Sequence, residues 1–297
     1  MPMNSVNDKK LEEAIVEVFN YFNIFKYAPS TLQIYTYIQV KISKKKLEMC
    51  LVKMEEKGAI QSKELQYTGE RIWFKPADMG FSANREARYL ETEKKFKKAR
   101  LFFLFIARFP YLHFAGVTGS CAVHNARRMD DIDVFIISAP GGMWLARLTT
   151  IVIAKALNVH RKKGMKDTSN MICLNLFFDG LHLAVPKSKR NLYTAHEVVQ
   201  IVPVVVRGGV YNSFLYQNRW VAEYFPNIKI PRVDPSIKKI RTYSILGFFN
   251  RCAKKIQLHR ILQATTTERI SDEQLWFFPD DFQKKIEKRI DILHESR

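Results

Sequence analysis

The chain has 297 residues, and its 47% hydrophobic content is enough to build the cores of two or three domains, which excludes a largely disordered protein. Its 48 lysine and arginine residues exceed its 29 aspartate and glutamate residues, so that the net charge is +19 at pH 7. Such an excess favours nucleic acid or an anionic membrane surface as the partner, although basic residues can also serve solubility alone. The basic residues cluster at 41–46, 94–100, 160–166 and 238–241.

Neither a signal peptide nor a transmembrane segment is predicted. Residues 1–10, MPMNSVNDKK, lack the apolar core of a signal peptide. The longest apolar run, 101–107, is followed by Arg108 and Pro110 and is too short to span a bilayer. The four cysteines show no metal-binding spacing, so that a reducing compartment is the simplest assumption. We therefore expect a cytoplasmic protein.

Residues 1–78 are predicted to form a small domain of three helices followed by a β-hairpin. The predicted elements are helices at 11–22, 31–38 and 44–57 and strands at 59–62 and 71–74. Ser43 is a typical N-cap for the third helix. This order resembles a winged helix, whose third helix usually enters a DNA major groove, and Lys44, Lys45 and Lys46 would then meet phosphates. Docking of a protein partner is an equally good interpretation.

Residues 79–232 are predicted as the central domain, in which 79–110 forms a connecting helix. A strand at 113–117 then runs into Thr118, Gly119 and Ser120, and a helical stretch is expected at 121–127. Glycine lets the backbone approach an anion closely, and free N–H groups at a helix start attract negative charge. The turn could therefore hold phosphates.

Two aspartates follow this turn at the start of a strongly apolar strand. Side chains two positions apart on a strand share a face, so that Asp131 and Asp133 should project together while Ile132 and Val134 enter the core. Two close carboxylates repel each other unless a cation lies between them, and hard oxygen ligands suit Mg²⁺. The pair predicts a divalent metal that carries the phosphates of a nucleotide.

This Gly-Ser turn, spacer and Asp-hydrophobic-Asp strand resemble the nucleotidyltransferases of the DNA polymerase beta-like superfamily. The resemblance covers the motif and roughly the next hundred residues, including segments similar to uncharacterised bacterial proteins with this domain. These segments lie at 142–148, 171–178, 193–200 and 216–221. The resemblance implies an α/β (α+β) core with a mixed sheet. It also implies phosphate binding by Gly119 and Ser120, and metal binding and catalysis by Asp131 and Asp133.

The chain departs from that superfamily at the third carboxylate, which many active members carry on a neighbouring strand. The matching strand is predicted at 172–178, and its central polar residue is Asn175. An amide can ligate a hard cation, but it brings no charge and cannot act as a base. Asp179 should point to the same face of the strand as Asn175 but lie about 13 Å farther along it. Asp167 lies in a polar loop.

The resemblance implies transfer of a nucleoside monophosphate from an NTP, with ATP as the first choice, in the presence of Mg²⁺ or Mn²⁺. The acceptor hydroxyl is expected on RNA, because the chain is strongly basic, and DNA binding through the winged helix is a further expectation. Transfer to a protein or a small molecule remains open. The alternative is a nucleotidyltransferase fold with weak or no catalytic activity that acts as a nucleotide- or nucleic-acid-binding regulator.

Several other polar or aromatic residues have two interpretations. Trp144 favours core packing over base stacking, and Arg147 is close enough in sequence to reach phosphate or the carboxylates. His196 and Glu197 are expected in solvent rather than in the cleft, and Arg207 in a solvated turn. In the spacer, Arg127 and Arg128 could balance triphosphate charge or simply face solvent.

Residues 233–297 are predicted as a C-terminal helical segment. A basic stretch at 237–262 carries apolar residues that would pack on the central domain, although RNA and an anionic membrane are other interpretations. A last helix is expected at 281–295 after a break at Pro279.

Overall fold

The computed structural model describes residues 7–162, 164–233, 244–262, 269–277, 284–286 and 288–289. The basic cluster at 238–241 and most of the predicted last helix lie outside these residues. The chain divides into two compact units, the first comprising Met1–Leu90, Trp220–Ile230 and Lys284–Arg297 and the second Glu91–Arg219 and Pro231–Gln283. In the described part of the chain, no helix combines the length and the apolar character that a membrane crossing requires.

The fold is mixed α/β. The helices are α1 (Asp8–Ile24), α2 (Thr31–Tyr37), α3 (Lys44–Glu56), α4 (Met79–Ile106), α5 (Gly119–Ala122), α6 (Met143–Ala156), α7 (Leu192–Gln200), α8 (Val210–Gln217), α9 (Val221–Tyr224) and α10 (Ser244–Leu262), with 3-10 turns at Pro76–Asp78 and Lys187–Lys189. The strands are β1 (Gln61–Glu64), β2 (Arg71–Phe74), β3 (Leu112–Val117), β4 (Ile132–Ser138), β5 (Ile172–Phe178), β6 (Val202–Val206), β7 (Arg269–Ile270) and β8 (Gln274–Trp276).

The first unit begins with three helices and an antiparallel hairpin, as the sequence predicts. The Ser43 side chain accepts a hydrogen bond from Lys46 N at 3.2 Å, which confirms the predicted N-cap of α3. Strand β1 starts two residues later than expected and pairs Gln61 with Phe74. Helix α1 buries a stripe of residues at helical spacing. This stripe comprises Leu11, Ile15, Val18, Phe19 and Phe22.

The second unit is built on a six-stranded mixed sheet with the order β6-β3-β4-β5-β8-β7. Strands β4 and β5 run parallel, while β3 is antiparallel to both of its neighbours. Nearly all residues of β3 and β4 are buried, which accounts for their continuous apolar runs. The parallel register places Asp133 opposite Cys173, so that the starts of these two central strands meet at one edge of the sheet.

The prediction of a purely helical C-terminal segment is wrong, because β7 and β8 extend the sheet beyond β5. Strand β8 pairs antiparallel with β5, with Gln274 opposite Phe178. The Gln274 amide is buried and donates to the carbonyl oxygens of His182 and Ala184 at 2.8 and 2.9 Å. The added strand satisfies backbone groups of β5 that would otherwise form a free edge.

Candidate functional site

The two aspartates flank the first residue of β4 and have the predicted orientation. Ile132 and Val134 are buried in the core, whereas Asp131 and Asp133 are half-buried. Ligand atoms of Asp131, Asp133 and Cys173 all lie within 4.8 Å of one another. The structure therefore brings both carboxylates to one point at the edge of the sheet.

Gly119 lies directly against Asp133. Its φ of +63° is in the left-handed region, and a Cβ atom at this position would lie 2.7 Å from Asp133 Oδ2. The neighbouring Thr118 N donates to the Asp133 carbonyl at 3.0 Å. Glycine is required here for two separate reasons, its backbone conformation and the close approach of the carboxylate.

The Ser120 side chain is hydrogen-bonded to Asp130, an acid to which no role was assigned from the sequence. Its hydroxyl donates to Asp130 Oδ2 at 3.2 Å, and the same oxygen accepts from Arg127 N at 2.8 Å. The prediction of a helix over 121–127 is wrong, because α5 ends at Ala122 and His124 adopts a φ of +51°. The Asp130 carboxylate folds the spacer into a compact loop instead.

Asn175 lies on β5 beside the aspartates, in the strand predicted for it. Its Nδ2 donates to Asp133 Oδ1 at 2.6 Å, and the side chain is only 4% exposed. Asp179 lies at the far end of β5, where it accepts from Gly141 N and Leu181 N. Asp167 is exposed and accepts from Ser169 N. Neither acid belongs to the group of possible metal ligands found among the described residues, so that neither supplies the charge that Asn175 lacks.

Arg161 and Cys173 belong to the site although the sequence did not single them out. An Arg161 guanidinium nitrogen lies 2.5 Å from Asp131 Oδ2 and 3.2 Å from Cys173 Sγ. Arg161 follows directly after His160, whose backbone bridges to the start of β5. Its positive charge therefore partly neutralises the acid pair.

The electrostatics of the cluster favour a bound positive charge. Burial, and then the Asp131 carboxylate, raises the pKa of Asp133 above its usual range. Burial, and then Asp133, also raises the pKa of the Cys173 thiol, which therefore stays protonated at neutral pH. The charged ligand atoms of the cluster are thus carboxylate oxygens, the type that Mg²⁺ and Mn²⁺ prefer.

Helix α7 supplies an acid that was wrongly expected in solvent. Glu197 is half-buried, and burial followed by the Asp133 carboxylate raises the pKa of Glu197 to about 8. His196 is buried, and burial lowers its pKa well below the usual range. Helix α7 packs against α5, the element that carries Gly119. Glu197 is therefore the further carboxylate that interacts with the acid pair.

Three other candidates make their hydrogen bonds with residues other than the two aspartates. Trp144 is buried and donates through Nε1 to Asp272, which confirms its structural interpretation. The Arg147 side chain donates to Gln257 at 2.6 Å and stacks on a phenylalanine ring. Arg207 donates to the carbonyl of Ala107 rather than facing solvent. None of these contacts leads to the carboxylate cluster.

A buried lysine fixes the loop that precedes the aspartates. Lys95 has 0% exposure, and its Nζ donates to the carbonyl oxygens of Arg128 and Asp130 at 3.0 and 2.6 Å. Glu91 lies 4.0 Å from the same ammonium group. Lys95 thus connects α4 to the spacer loop and holds the chain just before Asp131.

Substitution Lys95→Met is expected to lower the free energy of unfolding by about 1–3 kcal/mol, because the carbonyl groups of Arg128 and Asp130 lose a charged, buried donor. Urea unfolding followed by circular dichroism measures this change. Lys97→Met, at an exposed position of α4, is the control and should change stability by less than about 0.5 kcal/mol. A Lys95→Met protein as stable as the control would show that this contact does not order the loop.

Glu197 should make the stability of the protein decrease with pH. The folded state binds the Glu197 proton more tightly than the unfolded chain, whose glutamates have a pKa near 4.5, so that stability is lost as pH rises from about 4.5 to about 8. Glu197→Gln should reduce this decrease in the melting temperature. The exposed Glu48 gives the control Glu48→Gln, which should keep the wild-type slope. Identical slopes in all three proteins would contradict the placement of Glu197.

The residues present fit a divalent cation. Besides the two carboxylates, two buried oxygen atoms, Asn175 Oδ1 and Thr118 Oγ1, have no hydrogen-bond partner among the described residues. The Arg161 guanidinium shows that a positive group is accommodated at Asp131. The arrangement can hold a cation at the start of β4 and leaves oxygen atoms available for further contacts.

Comparisons with protein-family models, with curated proteins and with solved structures give no match for this chain.

Proposed function

We propose that the protein is a metal-dependent nucleotidyltransferase that moves a nucleoside monophosphate from an NTP to an acceptor hydroxyl, with RNA as the favoured acceptor and ATP as the first-choice donor. The observation that carries this proposal is the convergence of Asp131 and Asp133 on one point, directly against the left-handed Gly119. An acid pair beside a glycine turn suits a phosphate chain that is bound together with a cation.

Each residue of the site has its own role in the proposed reaction. Asp131 and Asp133 would hold Mg²⁺ or Mn²⁺, with Asn175 as a neutral ligand, and the metal would neutralise charge on the phosphates. Gly119 and Ser120 would contact the β- and γ-phosphates. The acceptor oxygen bonds to the α-phosphorus, pyrophosphate leaves, and the hydroxyl proton passes to a base. Burial, and then the interaction with Asp133, raises the pKa of Glu197, which in its ionised form would accept that proton.

A second function is favoured by Asn175 and Arg161. Asn175 supplies no charge, and the Arg161 guanidinium compensates the charge of Asp131. A protein with these properties could bind nucleotide or nucleic acid as a regulator without turnover. The net charge of +19 is equally compatible with this function.

Incubation with labelled NTPs, Mg²⁺ or Mn²⁺ and total RNA separates the two functions. We expect label to appear in RNA with the wild-type protein and to disappear with Asp131→Ala and Asp133→Ala. Asp167→Ala, which removes an exposed acid from the loop before β5, is the control that retains transfer. Nucleotide binding without transfer under both metals would contradict the enzyme and support the regulator. Transfer to the protein itself or to a small molecule would keep the enzyme and change its acceptor.

For the first unit we propose a winged-helix-like module. The order of three helices and a hairpin supports it, as do the three lysines at the start of α3. Lys44 and Lys45 are exposed, and the Lys44 ammonium lies 5.5 Å from the centre of the Tyr35 ring. Duplex DNA and a protein are its two candidate partners. Loss of duplex DNA binding in the triple variant Lys44→Gln, Lys45→Gln, Lys46→Gln would favour DNA.

A further inference from the structure

Two basic loops meet beside the acid pair. The first is the spacer loop, residues 123–131, and the second consists of the described residues 160–162 and 164–170, which precede β5. Thr168 Oγ1 donates to the carbonyl of Met129 at 2.8 Å, and Asn170 N approaches the carbonyl of Asp130 at 3.4 Å. These contacts join the loops into one surface that ends at Asp131.

Four exposed cations lie on these loops, and we call them the basic rim. They are Arg127, Arg128, Lys162 and Lys166. Among the described residues, none of the four side chains lies in an ion pair. By contrast, the neighbouring Arg161 is paired with Asp131 at 2.5 Å. The rim is therefore a surface of four cations outside these ion pairs, in which Arg128 interacts at longer range with the exposed Asp167, and it borders the proposed metal ligands.

An apolar side chain accompanies these charges. Met129 is 52% exposed and lies in the chain between Arg128 and Asp130. Ser169 Oγ lies 3.4 Å from its sulfur atom. A polarisable thioether beside several cations suits a ligand that combines phosphates with flat apolar rings. A nucleotide strand has both, whereas an acidic polypeptide offers only the charge.

We propose that the basic rim binds the phosphodiester backbone of a single-stranded RNA, whose terminal hydroxyl is the acceptor of the nucleotide. This inference rests on the proposed function, which requires a hydroxyl close to Asp131 and Asp133. The rim is formed by irregular loops rather than by a helix that could enter a groove, and such loops suit an unpaired strand. Gly119 and Ser120 contact the donor phosphates, while the rim holds the acceptor.

The test measures binding of a fluorescent single-stranded RNA oligonucleotide to the full chain as a function of salt, without nucleotide or metal. The rim variant carries Arg127→Gln, Arg128→Gln, Lys162→Gln and Lys166→Gln. Each lost phosphate contact lowers the salt slope by about 0.7 for a single strand, so that the slope should fall by about 3 and the affinity at least about 10-fold. The control variant carries the same change at four exposed lysines outside the rim and outside α3, namely Lys9, Lys10, Lys187 and Lys229, and should keep the wild-type slope.

The results separate this inference from the proposed function. If the wild-type protein fails to bind RNA, or the rim variant binds it with an unchanged slope, the inference is overturned whether or not label transfer occurs. A loss that affects only duplex DNA or polyglutamate, used as alternative probes, also overturns it. If the rim variant loses RNA binding but the wild-type protein transfers no nucleotide, the rim remains an RNA site and the proposed enzyme fails.

Discussion

Replacement of Asp133 by asparagine is expected to lower Mn²⁺ affinity and nucleotide transfer by at least about 100-fold, because loss of even an indirect metal contact typically costs 10–100-fold. The same substitution should not destabilise the protein. Burial and Asp131 raise the pKa of Asp133, so that removal of its charge relieves an unfavourable interaction at neutral pH. An asparagine oxygen can still accept the bond that Asn175 donates at 2.6 Å. Calorimetric Mn²⁺ titration and thermal melting measure the two effects.

Asp179→Asn provides the control, since Asp179 is a buried carboxylate of the same sheet but lies at the far end of β5. It accepts from Gly141 N and Leu181 N, so that its substitution should change stability and leave Mn²⁺ affinity intact. If both variants lose Mn²⁺ affinity equally, the effect comes from the fold rather than from a metal site at Asp133.

Gly119→Ala is the second substitution with a large expected effect. The left-handed backbone costs an alanine about 1–2 kcal/mol of stability. In addition, the new Cβ would lie 2.7 Å from Asp133 Oδ2, so that the carboxylate must move. A displacement of about 1 Å can lower a rate about 100-fold, and we expect a loss of transfer of this size. Steady-state transfer rates and urea unfolding test the two parts separately.

Gly69→Ala isolates the backbone cost. Gly69 has a φ of +66°, close to the +63° of Gly119, but no atom lies within 4 Å of its added Cβ. This control should lose comparable stability, about 1–2 kcal/mol, and retain full transfer. Equal transfer rates in the Gly119→Ala and Gly69→Ala proteins would contradict a functional role for the contact between Gly119 and Asp133.

The sequence predicted those features that depend on local pattern. The three helices of the first unit follow apolar spacing, and Ser43 marks the start of α3 because its oxygen satisfies a free N–H group. The alternation at the start of β4 predicted correctly which side chains are buried and which share the outer face. The resemblance to the superfamily placed Asn175 on a strand at 172–178, and these are the bounds of β5.

Features that depend on distant contacts could not be predicted. Strand β8 is only three residues long, and it is stabilised by its antiparallel pairing with β5, which is distant in sequence. Glu197 lies on an amphipathic helix where several faces are plausible, and its proximity to Asp133 follows from how α7 packs on α5. Arg161 was only one of several basic residues in its cluster. The short α5 results from side-chain bonds to Asp130, which a helical pattern does not reveal.

In the proposed reaction, Asp131 and Asp133 support transfer of a nucleoside monophosphate. The most direct measurement is to incubate the wild-type protein with RNA, Mn²⁺ and an NTP labelled at the α-phosphate, and in parallel at the γ-phosphate, and to locate the label. We predict that the α-label enters the RNA while the γ-label appears only in released pyrophosphate. Label from the γ-phosphate in the acceptor, or transfer of the α-label that persists in the Asp133→Asn protein, would contradict nucleotidyl transfer at these aspartates.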